Sequence, residues 1–169
     1  VCSVLAWRSP TAAAAALWVG FACCLAAAAV VDARFMILPD VLTLPLMWVA
    51  LAASAAGWLG VLTPAASIAG AIAGYASLWA LATLYGRASG QQAMGEGDFK
   101  LMAAVGAWFG APALVPVALA AFATASVVGL AARRTDSRQA AIPFGPHIAG
   151  AAILVALVGP HAAASAILR

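Results

Sequence analysis

Two aspartates carry most of the chemistry this sequence offers. Asp32 closes a long apolar run, and Asp98 opens another directly after Gly95-Glu96-Gly97. Ionisable groups close to hydrocarbon are costly to bury, and they tend to line functional cavities or to pair with one another. Two carboxylates brought together cannot both ionise cheaply, so such a pair shares one proton over a range of pH, with one member as base and the other as acid. That asymmetry suits hydrolysis. The ionised carboxylate takes a proton from a water attacking a carbonyl, while the protonated one donates to the carbonyl oxygen. No metal, cofactor or covalent intermediate is required. A structural reading competes: Asp98 as the cap of a helix, favoured by its dipole, and Asp32 as the interfacial partner of Arg34. Position alone leaves both open.

The neighbours of the two acids extend the candidate site. Gly95 and Gly97 leave the backbone on either side of Glu96 free to adopt positive φ and to approach a ligand closely, so an extended peptide could lie beside it. An ordinary small-residue loop is the other reading, since Ala88-Ser89-Gly90 lies nearby. Glu96 and Asp40 suit the attraction of basic side chains, or serve as solvated loop and cap residues, and Lys100 belongs with them as a supporting residue. Other protease chemistries fail by pattern, because the chain has neither an H-E-x-x-H helix nor a G-x-S with a partner histidine. His147 and His161 stand alone near helix ends, in interfacial or packing positions. The cysteines, Cys2, Cys23 and Cys24, form no C-x-x-C pair, which leaves no zinc knuckle and no disulfide framework to build on.

The elements that hold these acids are helices in a membrane. The chain is 66% hydrophobic and 8% charged, with a mean hydropathy of +1.07, so a soluble domain of this size would lack polar surface to cover itself. Four stretches, 9–31, 41–86, 101–132 and 139–168, contain no Asp, Glu, Lys or Arg. Each is long enough for at least one crossing at about 20 residues. The first is too long for a signal-peptide core, and further apolar runs follow it. Gly57-Trp58-Leu59-Gly60 and Thr63-Pro64 divide the second into spans near 41–59 and 65–86, a tight helical hairpin. Gly110-Ala111-Pro112 divides the third into a short piece, 99–109, and a span near 112–132. The last begins near Pro146 and breaks at Gly159-Pro160. The fold class is therefore all-α, a polytopic transmembrane bundle of about six helices in a single domain over residues 1–169.

The short piece 99–109 reaches only about 17 Å at 1.5 Å per residue, against a hydrocarbon core of roughly 30 Å. Either it extends further at its N-terminal side or it starts at membrane depth. Six crossings place Arg8 and Arg169 on one side, and Arg34, Arg87, Lys100, Arg133, Arg134 and Arg138 on the other, which the positive-inside rule assigns to the cytoplasm. Asp32, Asp40, Glu96, Asp98 and Asp136 share that side. The net charge of +3 is scattered among apolar runs and serves topology, not nucleic-acid binding. Tryptophans such as Trp7, Trp18 and Trp58 fit interfacial belts and core packing. Gly70 and Gly74, at GxxxG spacing, suit association with another helix in the membrane or packing within the monomer.

Three segments in order give these features a family. Val31-Asp32-Ala33-Arg34-Phe35-Met36-Ile37-Leu38-Pro39-Asp40-Val41-Leu42-Thr43-Leu44-Pro45, then Met94-Gly95-Glu96-Gly97-Asp98-Phe99-Lys100-Leu101, then Ile142-Pro143-Phe144-Gly145-Pro146 together resemble the type IV prepilin peptidases, aspartic intramembrane proteases with a G-x-G-D motif. The resemblance implies Asp32 and Asp98 as the catalytic pair, with Asp40 a further acid of the first motif. It also implies cleavage, at the cytoplasmic face of the bacterial inner membrane, after a glycine that ends a short basic leader. The implied substrates are prepilins of pili or adhesive pili, or pseudopilins of type II secretion. Longer members resemble this chain joined to an N-terminal cytoplasmic module with paired C-x-x-C motifs, associated with methylating the new N-terminus. Nothing here matches that module, so the expectation is a short single-domain form, or the peptidase part of a longer one, without zinc or S-adenosylmethionine sites.

Two rivals come from other classes. A proton- or cation-coupled transporter also uses paired intramembrane acids, but both acids here lie toward one face instead of the midplane, and no pair of broken spans recurs in the two halves. An inactive assembly subunit would have no need of both aspartates in their motif segments.

Overall fold

A computed structural model describes residues 12–60, 62–90, 94–135 and 143–159. Cys2, Trp7, Arg8, Asp136, Arg138, Ile142, Pro160, His161 and Arg169 lie outside the described residues. Those described form six α-helices and no strand: α1 (Ala12–Phe35), α2 (Asp40–Ala55), α3 (Pro64–Ser89), α4 (Glu96–Phe109), α5 (Leu114–Thr135), preceded by a 3-10 turn at Ala111–Ala113, and α6 (Gly145–Val158). Ala15–Phe35, Pro64–Ser89 and Ala111–Ala132 are long and apolar enough to cross a membrane, while α2 and α6 are shorter apolar helices.

The boundaries follow from the turn residues. α2 ends before Gly57 and Gly60, both at positive φ (73° and 68°), where a side chain would be strained. α3 then opens with Pro64 at its first position, behind Thr63, whose hydroxyl accepts the Ala66 N–H at 3.2 Å. This is the hairpin expected from Gly57, Gly60 and Thr63-Pro64. α4 closes at Gly110 (φ 79°), as the Gly110-Ala111-Pro112 break requires.

The architecture centres on α4, which packs between α2 and α3 and touches α5 and α6. All its residues from Leu101 to Phe109 are buried. A helix apolar all round belongs in the interior of a bundle, and large apolar side chains such as Trp48, Ile72, Trp79, Leu119, Val127 and Leu154 face outward on its neighbours, as lipid contact requires. Of the two alternatives for the short piece 99–109, N-terminal extension is seen, but only by three residues, since α4 starts at Glu96. Its 14 residues still span only about 21 Å, so at least one end lies within the thickness of a bilayer.

Close contacts fix α4 in place. Side-chain-free backbone at Gly70 meets the Gly106 carbonyl, and Gly74 meets that of Met102. Of the two uses open to the Gly70/Gly74 spacing, this chain employs packing within the monomer. Ser67 Oγ donates to the Ala107 carbonyl at 2.7 Å, and Trp108 Nε1 donates to that of Leu46 at 2.9 Å. Trp18 and Phe21 of α1 stack against Trp108 and Phe109 of α4. These rings hold the end of α4 remote from Asp98. Cys23 and Cys24 lie within α1, and His147 contacts Thr124 Oγ1 at 3.1 Å, a packing role between α6 and α5.

Candidate active site

Three helix ends converge where the two aspartates stand. α1 runs past Asp32 to Phe35, so Asp32 occupies its last turn instead of following the helix, and only 5% of it is exposed. Its Oδ2 accepts the Gly145 N–H at the start of α6, at 2.9 Å. That amide is one of the orphan donors of a helix N-terminus, and a carboxylate is its natural acceptor. Arg34, the partner in the structural reading, is exposed. The ion pair of this region joins Lys100 to Asp40 instead.

Asp98 is the third residue of α4 and 7% exposed. Gly95, extended at φ −82° and ψ 155°, is the N-cap, and the Asp98 carboxyl reaches back to its backbone amide, as a carboxylate at the third helical position does in a capping box. Asp98 Oδ1 is buried with no hydrogen-bond partner among the described residues. Buried polar atoms left unpaired are uncommon, and a catalytic role is one explanation for them. Leu38 links the two acids, with its Cβ against Gly97 beside Asp98 and its Cδ1 against Gly145, whose N–H holds Asp32.

The supporting residues divide. Lys100 Nζ binds both oxygens of Asp40, at 2.7 and 2.8 Å, joining the N-terminal part of α4 to the start of α2. Asp40 is thus engaged within the chain, while Glu96 remains exposed. The glycines act otherwise than expected. Neither Gly95 nor Gly97 has positive φ, because Gly95 is extended and Gly97 already helical. The need at Gly97 is steric: a Cβ there would stand 2.5 Å from Leu38 Cβ, whereas at Gly95 it would meet only Asp98 Oδ2, at 4.0 Å.

Gly145 and Leu38 are the two residues that reasoning from single motifs passes over. A Cβ on Gly145 would stand 2.7 Å from Asp32 Oδ2 and 2.9 Å from Leu38 Cδ1. The signal for Gly145 is its place in the third motif segment, directly before Pro146. Leu38 lies in the first motif segment, but as an apolar residue in an exposed turn nothing in its type singles it out.

Fold and site define a multi-pass helical membrane protein with two buried aspartates at one end of the bundle. The chain belongs to the type IV leader peptidase family, which it matches over residues 13–130. Among curated relatives, a prepilin leader peptidase/N-methyltransferase of Xanthomonas campestris pv. campestris is 41% identical over 140 residues, covering 78% of this chain and 48% of that protein. Proteins of the same name from Dickeya chrysanthemi and Pseudomonas putida are 43% and 35% identical, over 73% and 96% of this chain and 44% and 56% of theirs. The chain thus spans about half the length of these relatives. No solved structure matches it.

Proposed function

We propose that this chain is a membrane-embedded aspartic endopeptidase that removes the short basic leader from type IV prepilin or pseudopilin precursors, with Asp32 and Asp98 as its catalytic pair. The observation that carries the reading is the convergence of these two carboxylates, distant in sequence, at one buried locus around Leu38, where Asp98 Oδ1 has no hydrogen-bond partner among the described residues. The names of the relatives, prepilin leader peptidases, supply the substrate class. The family match gives the coupled-transporter alternative no support.

In this mechanism the pair holds one proton between its members. The ionised carboxylate accepts a proton from water as the water oxygen bonds to the scissile carbonyl carbon, and the other donates its proton to the carbonyl oxygen. Collapse of the tetrahedral intermediate breaks the C–N bond: the carboxyl that gained the water proton passes it to the leaving amine, and the other carboxylate takes a hydroxyl proton back as the carbonyl re-forms, which restores the pair. The Gly145 N–H holds Asp32 Oδ2, which leaves its other oxygen for water, and the buried setting strengthens each of these interactions.

Orientation follows from charge. Arg34 and Arg87 lie in the last turns of α1 and α3, and Lys100 is the fifth residue of α4, all at the end that holds the aspartates. The positive-inside rule turns that end to the cytoplasm of the bacterial inner membrane. A precursor whose polar leader is cytoplasmic and whose next segment is an apolar helix presents its cleavage site there. Glu96, exposed at the start of α4, is the acid available to attract leader lysines and arginines.

The test is processing of a pilin-like precursor in membranes by the parent chain, Asp32→Asn and Asp98→Asn. The parent should yield the shortened product and both variants none. Processing by either variant would refute the pair, and lack of processing by the parent in the presence of several precursors would refute the substrate class.

A further inference from the structure

Leu38 stands in the four-residue turn between α1 and α2, yet it is only 9% exposed. Its main chain and Cβ lie against Gly97, next to Asp98, where an added Cβ would be 2.5 Å from Leu38 Cβ and 3.1 Å from its carbonyl oxygen. The far end of the same side chain, Cδ1, lies against Gly145, whose N–H holds Asp32. One leucine therefore spans from the backbone beside one aspartate to the backbone that anchors the other. Both contacts are made against glycine, so no flexible side chain lies between to absorb a change in either distance.

The turn that carries Leu38 is fixed on both sides. Met36 adopts a left-handed conformation, φ 53°, and its N–H bonds to the Asp32 carbonyl at 2.8 Å. Such a conformation is unfavourable for a non-glycine residue, and backbone of this kind persists where its surroundings over-determine it. Pro39 caps α2 in an extended conformation, and Asp40 is gripped by Lys100, two residues beyond Asp98. The turn cannot drift relative to α4 without breaking that ion pair.

We propose that Leu38 is a positioning residue for catalysis: a rigid spacer between Gly97 and Gly145 that sets the separation of the Asp32 and Asp98 carboxyls. This rests on the carboxylate-pair reading. Leu38 touches the backbone that carries the acids, so its effect falls on the chemical step and leaves substrate affinity alone. Truncation to alanine keeps the Cβ against Gly97 and removes the reach to Gly145, freeing the anchor of Asp32. Displacements on the order of 1 Å in a catalytic group cost about 100-fold in rate. Methionine restores the reach with similar volume, and valine, which lacks a δ carbon, restores only part of it.

The experiment compares purified full chain with Leu38→Ala, Leu38→Val and Leu38→Met on a precursor peptide, alongside Asp32→Asn and Asp98→Asn. We expect kcat to fall about 10- to 100-fold in Leu38→Ala, with KM within about twofold, an intermediate loss in Leu38→Val, and near-parent kcat in Leu38→Met. If Leu38→Ala does not fold, the order Met above Val in kcat at constant KM carries the same test. Unchanged kcat in Leu38→Ala, a rise in KM without a fall in kcat, or Met no better than Val would overturn the proposal. Activity in either asparagine variant overturns the carboxylate pair itself, whereas inactive asparagine variants with a fully active Leu38→Ala overturn only the role of Leu38.

Discussion

The two aspartates of this chain are buried by different means, and that difference makes their surroundings separately testable. Asp32 is held by an amide from another helix, Gly145 N–H at 2.9 Å, while Asp98 is set by its place in its own first turn. Gly145→Ala would push a methyl to within 2.7 Å of Asp32 Oδ2 and 2.9 Å of Leu38, so it should lose processing about 100-fold or more. Gly95→Ala meets nothing closer than 4.0 Å and should stay within severalfold of the parent, as measured by product formation at matched enzyme levels. Similar losses at both glycines would contradict the asymmetry. The pair also predicts a bell-shaped dependence of kcat/KM on pH, because activity needs one carboxyl ionised and one protonated. It falls on the acid side as the base is protonated and on the alkaline side as the acid is lost, and the two apparent values belong to the pair. A plateau on either side through the accessible range would argue against a shared proton. Both aspartates were legible from the sequence because an acid at the edge of an apolar run is conspicuous. The anchor of Asp32 was not, because a backbone N–H has no residue type to read, and the glycine that supplies it lies in a segment far along the chain.

Helix boundaries were the most legible feature, since each rests on residues with a narrow conformational repertoire. Gly57, Gly60 and Gly110 all take positive φ, and Thr63-Pro64 opens α3 with a side-chain cap. Thr63→Ala should cost about 1 kcal/mol, read as a lowered midpoint of thermal unfolding in detergent. What no run of apolar residues could reveal was which helix lies at the centre. α4 is the shortest in the sequence reading, and its burial depends on approach of the backbone at Gly70 to that at Gly106. Gly70→Leu has no space to occupy there, so it should separate α3 from α4 and destabilise the chain by about 3 kcal/mol or more, with processing lost along with stability. Gly20 meets nothing within 4 Å, so Gly20→Ala should be tolerated in both measurements. The role of Gly97 was not legible for a related reason: glycine permits either unusual torsion or close packing, and only the position of Leu38 decides between them there.

At the scale of the whole molecule, a membrane bundle built around a short buried helix brings residues from distant segments to one end. The family resemblance carried by the segments around Asp32 and Asp98 is borne out, and the family match covers both of them. In the proposed topology the asymmetry of basic residues turns that end to the cytoplasm. Single cysteines replacing exposed Arg34 or Arg87 should react with a membrane-impermeant thiol reagent from the cytoplasmic side only, in a background with Cys2, Cys23 and Cys24 replaced. Labelling from the opposite side would invert the topology. Bringing the acids together matters only if they work as a unit, and groups that act as a unit show strongly non-additive losses on mutation. The decisive measurement is the rate of precursor cleavage by purified Asp32→Asn, Asp98→Asn and the double variant. The account predicts that each single change loses as much activity as both together. Substantial activity in either single variant, or losses in the double equal to the product of the two singles, would contradict it.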